Sequence, residues 1–189
     1  MDLVFKSNTD EKGKTKGFNF QVHVYPHKWA IDLQYVAPKG YHLEPQGLAG
    51  VPADKYYYRE DVKTTFFGIS AYQVPNKKRF SYRAALLQSE WQKKSAGSII
   101  YGAEIHHGTV QGDSALIPAF YSSKFPQAGI NKINILSFGP GAGYAYTLVM
   151  AQHFFITGSM VINLDVNFVR EEDETRKEKN VALESIRGF

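Results

Sequence analysis

From His153 to Phe168 the chain alternates with a period of two. The even positions from Phe154 to Phe168 are apolar apart from Gly158, and the odd positions include His153, Thr157, Ser159, Asn163, Asp165 and Asn167. Successive side chains on a strand point to opposite faces, so the pattern predicts one long strand with a greasy and a mostly polar face. At roughly 3.3 Å per residue such a strand crosses a ~30 Å hydrocarbon layer even when tilted. Ordinary globular strands run to only about 5–6 residues. The feature constrains the chain towards an all-β, antiparallel, transmembrane barrel.

The same alternation recurs along the chain. Phe18, Phe20, Val22 and Val24 alternate with Asn19, Gln21, His23 and Tyr25. After a turn at Pro26-His27-Lys28, Trp29, Ile31, Leu33 and Tyr35 alternate with Ala30, Asp32, Gln34 and Val36. This predicts a hairpin with matched faces. Residues 37–61, rich in proline and glycine and carrying Tyr56-Tyr57-Tyr58, read as a long loop, followed by a strand from Val62 to Val74. Past the turn Pro75-Asn76-Lys77-Lys78, a further strand places Phe80, Tyr82, Ala84 and Leu86 opposite Ser81, Arg83 and Ala85. Another sets Ile99, Tyr101, Ala103 and Ile105 against Ser98, Gly102, Glu104 and His106.

Residues 111–130 form a second long loop. Residues 131–139 and 144–150 then read as two strands, separated by a bend in the glycine-rich run from Gly139 to Gly143. The nine charges between Arg170 and Lys179 predict a solvated loop before a short final segment. The organisation expected is one domain over 1–189, up-and-down, with eight or more strands and with 1–17 and 170–180 as loop or linker. Connections alternate short and long, as in outer-membrane barrels. The 111–130 loop is the exception, since by parity it falls on the short-turn side.

Composition narrows the function classes. No apolar run approaches the ~20 residues of a transmembrane helix, so any spanning falls to strands. The 12 Tyr, 13 Phe and 2 Trp suit interfacial girdles and equally a soluble β core. With no cysteine there is no disulfide, thiol nucleophile or cysteine-ligated metal. Six scattered histidines, with His106 and His107 on opposite faces, make no zinc site, and no cofactor is expected. The 22 basic residues are balanced by 18 acids and line no single strand, which argues against nucleic acid. Lys77-Lys78-Arg79 and Lys93-Lys94 sit beside turns, where they meet either water or anionic headgroups. The start from Met1 to Lys6 is not a secretory signal peptide, so an outer-membrane location implies mature or truncated material.

The apolar faces carry no charge, while Asp32, Arg83, Glu104, His106 and Asp165, with His23 and His153, fall on the opposite faces. In a barrel these form a polar lumen network in which Arg83 and Glu104 pair, because inward charges need partners. A soluble sheet with one wet face gives the same alternation. Glu104 and His106 share a face one two-residue step apart, which opens a catalytic alternative. Ser98 lies eight residues, about 26 Å, from His106 along the same strand. A nucleophile would therefore come from another strand, with Ser81 and Ser159 as other inward hydroxyls. Lys94, Ser95, Gly97 and Ser98 predict a tight turn with close backbone approach. Asp113 and Ser114 open the second loop as a side-chain-to-backbone turn, or as the start of a plug folded into the lumen.

Asn76-Lys77-Lys78-Arg79-Phe80-Ser81-Tyr82-Arg83-Ala84-Ala85, Lys94 to Ser98, Gly112 to Pro118 and Gly143-Tyr144-Ala145-Tyr146 together resemble a Bacteroidota family, the domain of unknown function numbered 4421. The resemblance covers roughly residues 60–170. It implies an outer-membrane β-barrel with no established activity, and so no catalytic residue. It also implies a longer barrel, of which this chain would lack a signal peptide and some N-terminal strands, stopping inside a late strand. The reading is an outer-membrane barrel with a structural, assembly or binding role. Its expected partners are outer-membrane lipid or lipopolysaccharide and other envelope proteins. A lipid- or lipopolysaccharide-modifying enzyme and a soluble lipocalin-like ligand-binding barrel are the alternatives.

Overall fold

The computed structural model describes residues 15–26, 28–151, 154–173 and 177–185, the last of these as backbone only. His153, expected on the polar face, lies outside the described residues.

Among the described residues, seven antiparallel strands pair in chain order. They are β1 (Lys16–Val24), β2 (Trp29–Leu43), β3 (Tyr57–Gln73), β4 (Ala96–Gln111), β5 (Lys132–Met150), β6 (Phe154–Glu172) and β7 (Lys177–Ser185). The up-and-down, all-β architecture is as the alternation predicts. Closure is not: among the described residues no ladder joins β1 to β7, and the sheet is open.

The strand count differs from the expected eight or more for two reasons. The segment Phe80 to Leu86 is not a strand. Ser81 caps a short helix, α1 (Tyr82–Leu86), its hydroxyl accepting from the Ala84 N–H at 3.1 Å. Phe80 and Ala84, both 2% exposed, satisfy a helical spacing as well as an alternating one, and Ala-Ala-Leu favours the helix. The glycine run after Ser137 is no bend either, for β5 passes through it as one strand of 19 residues.

The other boundaries expand. β2 runs on to Leu43 and β3 starts at Tyr57, so the first long loop shrinks to 44–56. Lys16 and Gly17 belong to β1, and most of the charged stretch 170–180 belongs to β6 and β7 rather than to a loop. Removing the false strand also resolves the parity exception. The β4–β5 connection leaves from the same end as the β2–β3 loop, and the two touch there. The Ala49 N–H donates to the Tyr121 hydroxyl at 3.2 Å, and the Phe120 ring lies against Gly50. We call this the long-loop end. The opposite end holds the β1–β2 and β5–β6 turns and the β3–β4 connection, 74–95.

The sheet curls. β3 and β6 are three strand spacings apart, about 14 Å along the sheet, yet the Tyr72 hydroxyl donates to Asn163 Oδ1 at 2.7 Å. That bond exists because the sheet folds inward over β4 and β5. Phe80, from the β3–β4 connection, packs into the concave face against Ala30, Tyr72, Ile100 and Ala145. The segment that enters the concave side is therefore 74–95.

Burial differs between the two faces: the concave side mixes the apolar cluster around Phe80 with buried polar residues, and the convex side exposes large apolar ones. The buried polar set comprises Gln92, Ser98, Glu104, Ser137, Thr147, Asn163 and Asp165. The convex face exposes Phe18, Ile99, Tyr144, Ile156 (63%), Met160 (59%) and Leu164 (59%).

Candidate functional site

The registers align the polar residues into transverse rows on the concave face. His23 faces Asp32, Asp32 faces Ser70, Ser70 faces Glu104, and Glu104 faces Gly139. One step towards the short-turn end, Ala30, Tyr72, Gly102, Gly141 and Asn163 are consecutive partners. Asp32, Glu104, His106 and Asp165, which the alternation assigns to one face, do share it. Arg83 does not: it sits on α1, off the strands, and its guanidinium pairs with Glu90 at 3.3 Å rather than with Glu104. Two unforeseen residues, Tyr72 and Asn163, connect the rows.

Tyr72 is the central node. Its hydroxyl reaches Asn163 Oδ1 at 2.7 Å and Glu104 Oε2 at 3.1 Å, and Asn163 is fully buried. The space for this meeting comes from β5, whose inward positions are Gly139, Gly141 and Gly143. A methyl group at Gly141 would overlap Asn163 Oδ1 and lie 2.9 Å from Tyr72 Cε1. At Gly139 and Gly143 it would overlap the Leu164 and Met160 carbonyl oxygens. The glycines form a lane across which β3 and β6 side chains reach one another. A period-two glycine pattern in phase with the polar face was the available signal for it.

Beside the node lies a cavity of about 380 Å³ lined by His23, Asp32, Ser70, Glu104, His106 and Ser159, among others. His23 Nδ1 is 2.6 Å from Asp32 Oδ1, and Ser70 donates to Asp32 Oδ2 at 3.3 Å. His106 Nε2 is 3.8 Å from Glu104 Oε2. Here the carboxylate of Asp32 sits between serine and histidine, whereas an activated serine needs the histidine next to the hydroxyl. Ser98 is also committed elsewhere, accepting from the Asn76 N–H at 3.2 Å and donating to the Ile99 carbonyl at 2.8 Å. Ser81 is spent on the helix cap. Behind the node, Asp165 Oδ1 and Asn163 Nδ2 are buried without hydrogen-bond partners. Among the described residues no three His, Asp or Glu side chains converge as a metal-ligand set. The arrangement can bind a small polar group and shows no assembled nucleophile.

The motif residues fasten the two ends. Asn76 Nδ2 donates to the Gly97 carbonyl at 2.6 Å, and the Tyr144 ring covers Gly97, where no side chain would fit. Ser95 Oγ accepts from the Val149 N–H at 2.9 Å, and the Lys94 carbonyl accepts from Gln92 Nε2 at 2.8 Å. Asp113 and Ser114 are clamped from β3 rather than by a turn of their own. The Asp113 N–H donates to Asp61 Oδ2 at 2.9 Å, and Arg59 donates to the Ser114 and Ala115 carbonyls at 3.2 and 2.7 Å. Arg59 and Asp61 form a two-pronged pair at 2.7 Å. The Arg59 hydrogen bonds hold the Asp61 carboxyl far below the usual carboxylate range, and the same bonds push the guanidinium up.

A profile of the family described as Domain of unknown function (DUF4421) matches residues 2–187, nearly the whole chain rather than its central part. Neither a search of curated proteins nor a search of solved structures found a match.

Proposed function

The chain belongs to this family of unknown function, and we propose that it is a wall of an outer-membrane β-barrel of Bacteroidota, with a structural, assembly or binding role and no catalysis. The observation that carries the reading is an exposed apolar convex face set opposite a concave face that buries polar residues among its small apolar cluster. Along β5 and β6 the outward positions from Leu136 to Met150 and from Phe154 to Phe168 are apolar or small. The concave face instead buries Glu104, Asn163 and Asp165. Soluble proteins seldom expose a contiguous apolar patch beyond a few hundred Å². A membrane β-sheet presents such a belt to lipid and keeps its polar residues inside. A soluble lipocalin-like barrel would place the two faces the other way round. The Asp32 carboxylate between Ser70 and His23 supports binding over chemistry.

The chain contains no cysteine, so single cysteines report cleanly. With the protein refolded into lipid vesicles, Met160→Cys and Tyr144→Cys are expected to resist a water-soluble maleimide, while Lys77→Cys and Phe120→Cys react. Equal, rapid labelling of all four in vesicles that retain a β spectrum would refute the reading.

A further inference from the structure

Where the apolar belt ends, the six ladders place seven register positions in one unbroken transverse row. Lys16 faces Lys39, Lys39 faces Lys63, Lys63 faces Gln111, Gln111 faces Lys132, Lys132 faces Glu172, and Glu172 faces Lys177. Each step is a direct cross-strand neighbour, with strands about 4.8 Å apart. Lys132 has an anionic partner, Glu172, at 3.9 Å. Lys16, Lys39 and Lys63 are exposed and have no ion pair within 4.0 Å among the described residues. Like charges directly opposite one another destabilise a sheet. Glu60, Asp61 and Asp113 line a cavity with Lys16 and Lys39 without reaching ion-pair distance, and Asp61 is engaged by Arg59. The three lysines in succession therefore still favour a further anion over them.

The rows below supply the rest of the setting. Two residues towards the belt stand Phe18, Ala37, Thr65, Thr109, Asn134 and Arg170. Two further on, Phe20, Tyr35, Phe67, His107, Leu136 and Phe168 are successive partners. The order along the strand axis is ammonium, then a mixed row mostly of small or polar residues with Phe18 at its β1 end, then a mainly aromatic row, and thus follows the layering of a membrane interface. The aromatic row lies four residues from the lysines, about 13 Å along a strand.

We propose that Lys16, Lys39 and Lys63 form a binding site for the phosphate of an anionic lipid whose acyl chains lie on Phe18, Phe20, Tyr35 and Phe67. The inference rests on the membrane reading above and names the lipid partner of its convex face. Its reasons are charge complementarity, the repulsion an anion relieves, and continuity with the apolar belt. A juxtamembrane lysine contributes about fivefold to attraction by an anionic surface, so three contribute about a hundredfold.

The test refolds the full chain into phosphatidylcholine vesicles with and without phosphatidic acid, and reads the midpoint of heat-induced loss of the folded gel band. Wild type is expected to gain stability from phosphatidic acid through linkage to binding. The variant K16Q/K39Q/K63Q should match or exceed wild type in neutral vesicles, because the repulsion is gone, and should lose most of the gain in anionic ones. K77Q/K78Q/K93Q, which removes the same charge from the opposite end, should keep it. An equal response of wild type and K16Q/K39Q/K63Q overturns the site, as does an equal loss in the opposite-end variant. So does a gain reproduced by inorganic phosphate in neutral vesicles, which would assign the lysines to the free anion. Failure to insert into either vesicle would instead overturn the membrane reading, which keeps the two failures distinct.

Discussion

Gly141→Ala tests whether the curl depends on an empty lane along β5. The added methyl group would overlap Asn163 Oδ1 and lie 2.9 Å from both Asn163 Cγ and Tyr72 Cε1. Asn163 is fully buried and Tyr72 is 7% exposed, so neither side chain has free space to retreat into. Two effects combine. Overpacking a tight interior costs about 1–3 kcal/mol. Displacing Asn163 also breaks its bond with the Tyr72 hydroxyl, and leaving a buried partner unsatisfied costs about 1–3 kcal/mol. Because the two share one displacement they do not add fully, and a loss of about 2–4 kcal/mol is expected.

Gly158→Ala is the matched control. It lies on the neighbouring strand with nothing within 4 Å of an added methyl group. There the substitution should be neutral, or stabilise by about 0.4–1 kcal/mol through the unfolded chain. Urea unfolding in detergent micelles, followed by tryptophan fluorescence and by gel mobility, measures both. The combination Gly141→Ala/Asn163→Ala should cost less than the sum of its parts, because the second change removes the atom that the first strikes. If Gly141→Ala stays within about 0.5 kcal/mol of wild type, or if the combination is strictly additive, the lane is not what allows β3 and β6 to meet.

Four further outcomes follow from the same geometry. Met160→Arg, at a position 59% exposed, should cost about 2–4 kcal/mol if that face lies near the bilayer midplane; in water a change there would be almost silent. Vesicle unfolding of this single variant measures the difference. Phe80→Ala empties a site only 2% exposed and should cost about 3–5 kcal/mol, read by the same unfolding curve. Ser81→Ala removes the cap of α1 and should cost about 1 kcal/mol, with the loss of protection confined to 74–95 in hydrogen exchange. The Arg59–Asp61 clamp fixes a pH dependence. Its carboxyl is depressed in the folded state, so its stabilisation is complete above the unfolded value of about 3.9 and is lost as pH falls through the depressed value. Proteolysis of the 112–131 loop should therefore rise as pH falls below about 4 in wild type. In Asp61→Asn it should already be high at neutral pH and flat over that window.

The sequence disclosed faces better than it disclosed elements. The alternation placed Asp32, Glu104, His106 and Asp165 together correctly, because a period of two assigns side chains to faces whatever the strand's partners are. It could not tell that Phe80 to Leu86 is helical, since an apolar residue at every second position over so short a run also satisfies a one-turn helix. Arg83 was misplaced with it. The glycines from Gly139 to Gly143 were read by their local flexibility, and so as a bend. Their role is set by Tyr72 and Asn163, which come from two other strands. The Arg59–Asp61 clamp was hidden for the same reason, as it ties β3 to carbonyls of a loop 55 and 56 residues further along.

The two faces are also not independent. A one-residue slip in any ladder would exchange them along a whole strand, carrying Glu104 to the convex side and Ile105 to the concave one. Such a slip is opposed from both directions. Inside, it would pull Tyr72 away from Asn163 and bring side chains over the glycine lane. Outside, it would break the rows in which Phe20, Tyr35 and Phe67 stand level with one another, and Lys16, Lys39 and Lys63 likewise. The β2–β3 register does shift, between Lys39 and Tyr41. That irregularity lies just past the lysine row towards the long loops, where Gly40 adopts a φ of 89° and the strands leave the belt. Up to the lysines the pairing is strict, and beyond them the fold tolerates a bulge. The lysine row therefore marks where the constraint on both faces ends.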